Sequence, residues 1–168
     1  YDFAGSEING LERDTLGRNS EYIYLGNMGI SMGKIDIDEQ AFMKYWKDSI
    51  NGGASDNDVA INRAVIEIPV AEINQSVLPV QKILCYRQYI SNSDTTLVLI
   101  HDAQVSDTYY DAVYEHTTNS YRINATMHFE NYINGNIDEL DLYLVPDERR
   151  SSANRVILNG TKHSTNPI

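Results

Sequence analysis

The sequence predicts a mainly β fold, an antiparallel β-sandwich of the jelly-roll kind with two short helices capping its ends. Three observations carry that expectation. Roughly seven to nine short runs alternate apolar and polar residues between turn formers, at near-regular spacing. Tyrosine is abundant, 12 in 168 residues, and its ring suits pleated, half-buried surfaces. Helical spacing takes over in only two stretches, each closed by an Asn-Gly pair.

Taken in order, residues 1–20 hold three glycines and little periodicity, and read as a lead-in or the remnant of a preceding segment. The sandwich domain is expected over 21–168. Its first strand is "EYIYLGN", with Tyr22 and Tyr24 opposite Ile23 and Leu25. Asp38 is placed to cap a helix whose apolar stripe is Phe42, Tyr45, Trp46, Ser49 and Ile50, ended by Asn51-Gly52-Gly53. "VAINRAVIEIPV" then alternates, and Pro69 requires that this strand end there or lie at an edge.

A further strand follows Pro79 in "VLPVQKILCYRQYI", and "TTLVLIHD" reads as a short buried one. "YYDAVYEHTTNSYRIN" reads as a hairpin turning around 115–119. The period changes inside "YRINATMHFENYINGN". Tyr121 and Ile123 finish a strand, Asn124 or Thr126 caps a helix, and Ala125, Phe129, Tyr132 and Ile133 form its inward stripe. His128 falls off that stripe and is expected to be solvated. "ELDLYLVP", with Leu140, Leu142 and Leu144 in phase, and "RVILNG" complete the strands. The polar "HSTNPI" stands where a closing strand is expected, so the sandwich is read as lacking its final strand.

Composition narrows the function classes. The net charge is −11, and the acid is spread evenly: residues 1–60 hold 11 acids and 5 bases, residues 61–168 hold 13 and 8. Without a basic face, neither nucleic acid nor an anionic membrane surface is an expected partner. No apolar run approaches a membrane span. No initiator methionine or signal peptide precedes Tyr1, as in a processed product or a piece of a longer protein. Cys85 stands alone in an apolar strand and reads as a buried, inert thiol.

The chemistry-bearing residues point away from catalysis. His101, His116, His128 and His163 have no zinc-ligand spacing, and each reads as a solvated or singly bonded imidazole. No nucleophile elbow or phosphate-binding loop occurs, so a hydrolase is the least favoured reading and no catalytic residue is assigned. Three acidic knots could supply oxygens to calcium: "IDIDE", "SDND" and "IDELD". Asp38 is explained as a cap and Asp141 as the outward face of a strand, which leaves Asp56 and Asp58 as calcium candidates. Tyr109, Tyr110 and Tyr114 are the candidate glycan-binding residues, since sandwich modules hold sugars on exposed rings. Tyr109 and Tyr110, if in a strand, face opposite ways, so at most one is free.

From Tyr22 onward the succession "YIYLGNMGISMGKI", "AINRAVIEIPV", Pro79, "YYDAVYEHTTNSYRINATMHFENYING", "LDLYLVP" and "NRVILNG" resembles the C-terminal part of a Bacteroides-type surface lipoprotein family of unknown function. The best-matched pieces are "AIN-A", "Y-IN-T" and "VIL-G"; residues 1–20 match nothing in the family, and its usual final strand is missing. The resemblance implies an exported protein anchored to the cell envelope, in the outer membrane and facing the surface or the periplasm. Its lipid-bearing cysteine would lie outside this chain. It also implies a structural, adhesion or ligand-binding role, with a glycan or another envelope protein as partner. It supplies no catalytic or binding residues.

Overall fold

The computed structural model describes residues 21–26, 32–50, 52, 60–71, 78–91, 94–147, 154–160 and 162–168. Residues 1–20, the calcium candidates Asp56 and Asp58, and residues 92–93 lie outside them. The chain is mainly β, with three antiparallel sheets. Strands β1 (Tyr22–Gly26) and β9 (Arg155–Asn159) form one pair. Strands β2 (Gly33–Ile35), β8 (Leu142–Pro146), β4 (Ile83–Ser91) and β5 (Asp94–Leu99) form a four-stranded sheet in that order. Strands β3 (Val65–Pro69), β7 (Ser120–Asn124) and β6 (Asp111–Glu115) form the third.

The strand pairs are nested. The outermost is β1 with β9, then β2 with β8, then β3 with β7, and β4 with β5 is the inner hairpin. Strand β6 is added outside β7. Isolated bridges join the sheets, Val70 to Leu158 and Lys82 to Val113. The first bridge sets β9 beside the end of β3, so β1, β9, β3 and β7 run as neighbours.

One apolar core lies inside this arrangement, because alternation turns every second residue inward. Ile23 and Leu25 of β1, Ile68 of β3, Ile83 and Cys85 of β4, Tyr121 and Ile123 of β7, and Leu142 and Leu144 of β8 are all buried in it. Each fully buried aliphatic side chain contributes about 1.5–3 kcal/mol. At Gly33 the sheets come too close for a side chain. A Cβ there would stand 2.6 Å from Ile23 Cγ2 and 3.2 Å from Leu25 Cδ2.

Most predicted strands form where alternation placed them, and the 115–119 hairpin turn and the strand end at Pro69 are found. Strand β5 differs from expectation. It is the edge of its sheet, and its residues are exposed or half-buried, because nothing pairs with its outer side among the described residues.

The helices depart further. Helix α1 (Glu39–Tyr45) starts at Asp38, whose carboxylate accepts from Ala41 N at 3.0 Å, as expected. Its backbone then widens into a π-helical turn, Trp46–Ile50. The widening changes the angular step per residue, so the expected stripe breaks up: Trp46 is buried, while Tyr45 and Ile50 are exposed. Two short helices were not anticipated, α2 (His101–Val105) and α3 (Asp107–Tyr110). Helix α4 (Thr126–Ile133) forms where expected and ends before Gly135, at φ +70°, but of the expected inward stripe only Ala125 is buried, while Phe129, Tyr132 and Ile133 are half-buried. The two predicted helices do not cap separate ends. The Phe42 ring of α1 packs on Phe129 and Tyr132 of α4, at centroid distances of 5.3 and 6.2 Å.

Candidate functional site

The interior holds a polar cluster built from several elements. Asp102 of α2 is fully buried, and its two oxygens accept from Met127 N and His128 N, each at 2.9 Å. A carboxylate from one helix thus caps the first turn of another, where unpaired N–H groups and the helix dipole favour negative charge. Asn124, expected as a cap, accepts from Thr126 N and binds the Thr126 hydroxyl, so it supports the same turn.

His128 is buried, not solvated as the helical wheel suggested. Its Nε2 lies 3.0 Å from the Leu140 carbonyl, which makes Nε2 the protonated nitrogen. Nδ1 has no hydrogen-bond partner among the described residues. Burial pulls this imidazole below its ordinary pKa, against the Leu140 carbonyl and Asp102, which favour the cation. The Cys85 thiol, also enclosed, is pushed up to about 12 by burial. Tyr110 and Tyr121 are likewise pushed up by burial, and their hydroxyls donate to the carbonyls of Ile83 and Val80. These groups are held neutral and spent on packing.

Two of the acidic knots converge on a lysine. The Lys34 ammonium lies 2.5 Å from Asp141 and 3.3 Å from Asp36. Asp141 also accepts from Ile37 N, and Glu39 from Leu140 N. The cation between these carboxylates is therefore part of the chain. Among the described residues no group of three or more His, Cys, Asp or Glu side chains could hold a metal ion.

The three candidate tyrosines part company. Tyr110 is wholly buried and bonded to Ile83. Tyr114 is half-buried, donates to Asn119 Oδ1 at 2.7 Å, and packs its ring against Tyr121 and His116. Tyr109 remains at the surface, 41% exposed. Both Tyr109 and Tyr110 close α3 and lie outside any strand. The Ser106 hydroxyl caps that helix by accepting from Tyr109 N, and Asp107 pairs with Lys82 of the segment before β4. With Tyr110 fixed in the core, the neighbouring Tyr109 is turned outward.

Tyr109 lines a groove of about 360 Å³ beside the β3–β7–β6 sheet. On β7, Arg122 and Asn124 share the face opposite the buried Tyr121 and Ile123. The register sets Val65 across from Asn124, and Asn62 and Arg63 complete that wall. The other wall is Thr108, Tyr109 and Asp111. Asp111 and Ala112 adopt positive φ, +64° and +57°, and the β6–β7 ladder shifts register between Asp111 and Tyr114. Left-handed backbone at two consecutive non-glycine residues costs energy, and such strain gathers where a chain must aim particular groups.

The chain matches no protein-family model, no curated protein and no solved structure.

Sequence reading missed Arg63, Arg122 and the two asparagines. The alternation in "SYRIN" already turned Arg122 and Asn124 outward. What it lacked was the β3–β7 pairing that brings Arg63 beside them, together with the helical turn that delivers Tyr109.

Proposed function

We propose that this chain is a non-catalytic, glycan-binding domain of an exported, envelope-tethered protein, with the groove at Tyr109 as its binding site. One observation carries the reading. An exposed tyrosine, Tyr109, lines a concave surface together with Asn62, Asn124, Thr108 and charged residues. Sugars present apolar ring faces and many hydroxyls, and this combination offers stacking together with donors and acceptors. The groove's size lies in the range of small-ligand sites.

We read the fold as a jelly roll. The nested pairs are those obtained by folding one long antiparallel hairpin and rolling it into two layers, here β1-β9-β3-β7 and β2-β8-β4-β5, with β6 as an addition. The envelope assignment rests on the resemblance of the strand segments to the lipoprotein family. A non-catalytic role agrees with the buried Cys85, Tyr110 and His128, whose neutral forms are favoured and whose polar atoms serve the core.

The test is a glycan array followed by titration calorimetry of wild type and Tyr109→Ala. A retained glycan is expected, bound at least about tenfold more weakly by the variant, equivalent to about 1.4 kcal/mol. Absence of any retained glycan, or equal affinity in the variant, would refute the assignment.

A further inference from the structure

We infer that the groove selects sugars bearing a carboxylate, read by Arg63 and Arg122. This deepens the glycan-binding reading of the groove and rests on it. The chain as a whole is acidic, with 24 acids against 13 bases, so a surface taken at random carries negative charge. The groove inverts that balance: its charged lining is Arg63, Arg122 and Asp111, two cations to one anion. Guanidinium groups present paired N–H donors in a planar fork that matches a carboxylate.

Arg122 is only lightly engaged. Its Nε lies 4.0 Å from Glu67, both side chains are about half exposed, and a contact of that kind holds an arginine weakly. Arg63 approaches from the same side, because the β3–β7 register brings the segment ahead of Val65 towards Asn124. The remaining groups fit the rest of a uronic acid. Asn62 and Asn124 offer amides to its hydroxyls, Asp111 accepts from hydroxyls, and Tyr109 faces the apolar side of the ring. An inorganic anion would use the arginines but would leave Tyr109 and the amides without a role.

The experiment compares matched pairs. Trimers of galacturonate, glucuronate and mannuronate are titrated into the protein, each beside its carboxyl-reduced counterpart, which keeps the ring stereochemistry and loses the charge. At least one acidic trimer is expected to bind tenfold or more tightly than its reduced partner. Arg63→Gln and Arg122→Gln should bring the pair within about twofold, while Tyr109→Ala weakens both members. Circular dichroism of these surface variants checks that the fold is kept. Equal binding of every pair in wild type overturns the carboxylate assignment and leaves the glycan reading standing. A preference that survives both arginine substitutions also overturns it. If neither acidic nor neutral sugars bind, both readings fail together.

Discussion

Replacing Asp102 with alanine removes the acceptor for two amides at the start of α4, the half-buried Met127 N and the buried His128 N, both held at 2.9 Å. A hydrogen bond to a charged group contributes about 1.5–3 kcal/mol, and a buried donor left unpaired costs its desolvation. Burying the carboxylate has a cost of its own that alanine relieves, so the two bonds do not sum in full. We expect a net loss of about 3 kcal/mol. For a chain of this length that lowers the midpoint of thermal unfolding by about 6–12 °C. Asp102→Asn keeps one acceptor oxygen but turns an NH2 towards an N–H, and should recover no more than about half. Urea denaturation followed by circular dichroism gives the free energies, and hydrogen exchange at Met127 and His128 localises the effect. An alanine variant within about 0.5 kcal/mol of wild type would refute the idea that this carboxylate holds α2 and α4 together.

His128 gives the protein a pH-dependent stability. Its folded pKa lies below the unfolded value, so the unfolded chain binds the extra proton. The stabilisation is complete above the unfolded pKa of about 6.5 and is lost as pH falls below it towards the folded pKa. His128→Gln, whose amide can still donate to Leu140, should show a smaller decline between pH 7.5 and 5; parallel curves would refute the assignment. Gly33→Ala should destabilise by about 1–3 kcal/mol, because the new methyl meets the stiff β-branch of Ile23 at 2.6 Å. Combining it with Ile23→Leu, which lacks that methyl, should recover part of the loss, and strictly additive effects in urea unfolding would count against the clash.

Period-two patterns made the strands legible, because burial on one face is a local property of the chain. Leu140, Leu142 and Leu144 show it directly: all three are buried, as their alternation requires. The helices at 38–50 and 125–133 were legible from spacing and a cap residue, but their surroundings were not. His128 sits off the apolar stripe of its helix, yet Asp102 and the Leu140 carbonyl enclose it from other parts of the chain. Helices α2 and α3 are too short to show a period, which is why "HDAQVSDTYY" read as strand end and strand start. The groove shares that limit. Tyr109 was visible as an aromatic candidate, whereas Arg63 and Arg122 lie 59 positions apart and meet only through strand pairing.

The nesting of strand pairs also orders assembly in time. The inner hairpin of β4 and β5 closes a loop of a few residues, whereas β1 must find β9 across nearly the whole described chain. Closure entropy rises with loop length, so the inner pair can form early and the outer pair last. During synthesis β1 emerges before the other described strands, and its ladder partner among the described residues, Arg155–Asn159, follows only much later. Through that interval its Ile23 and Leu25 lack their core, and an alternating apolar edge of that kind is open to pairing with other chains. Holding β1 from misassociation until β9 arrives is thus a kinetic demand set by topology alone.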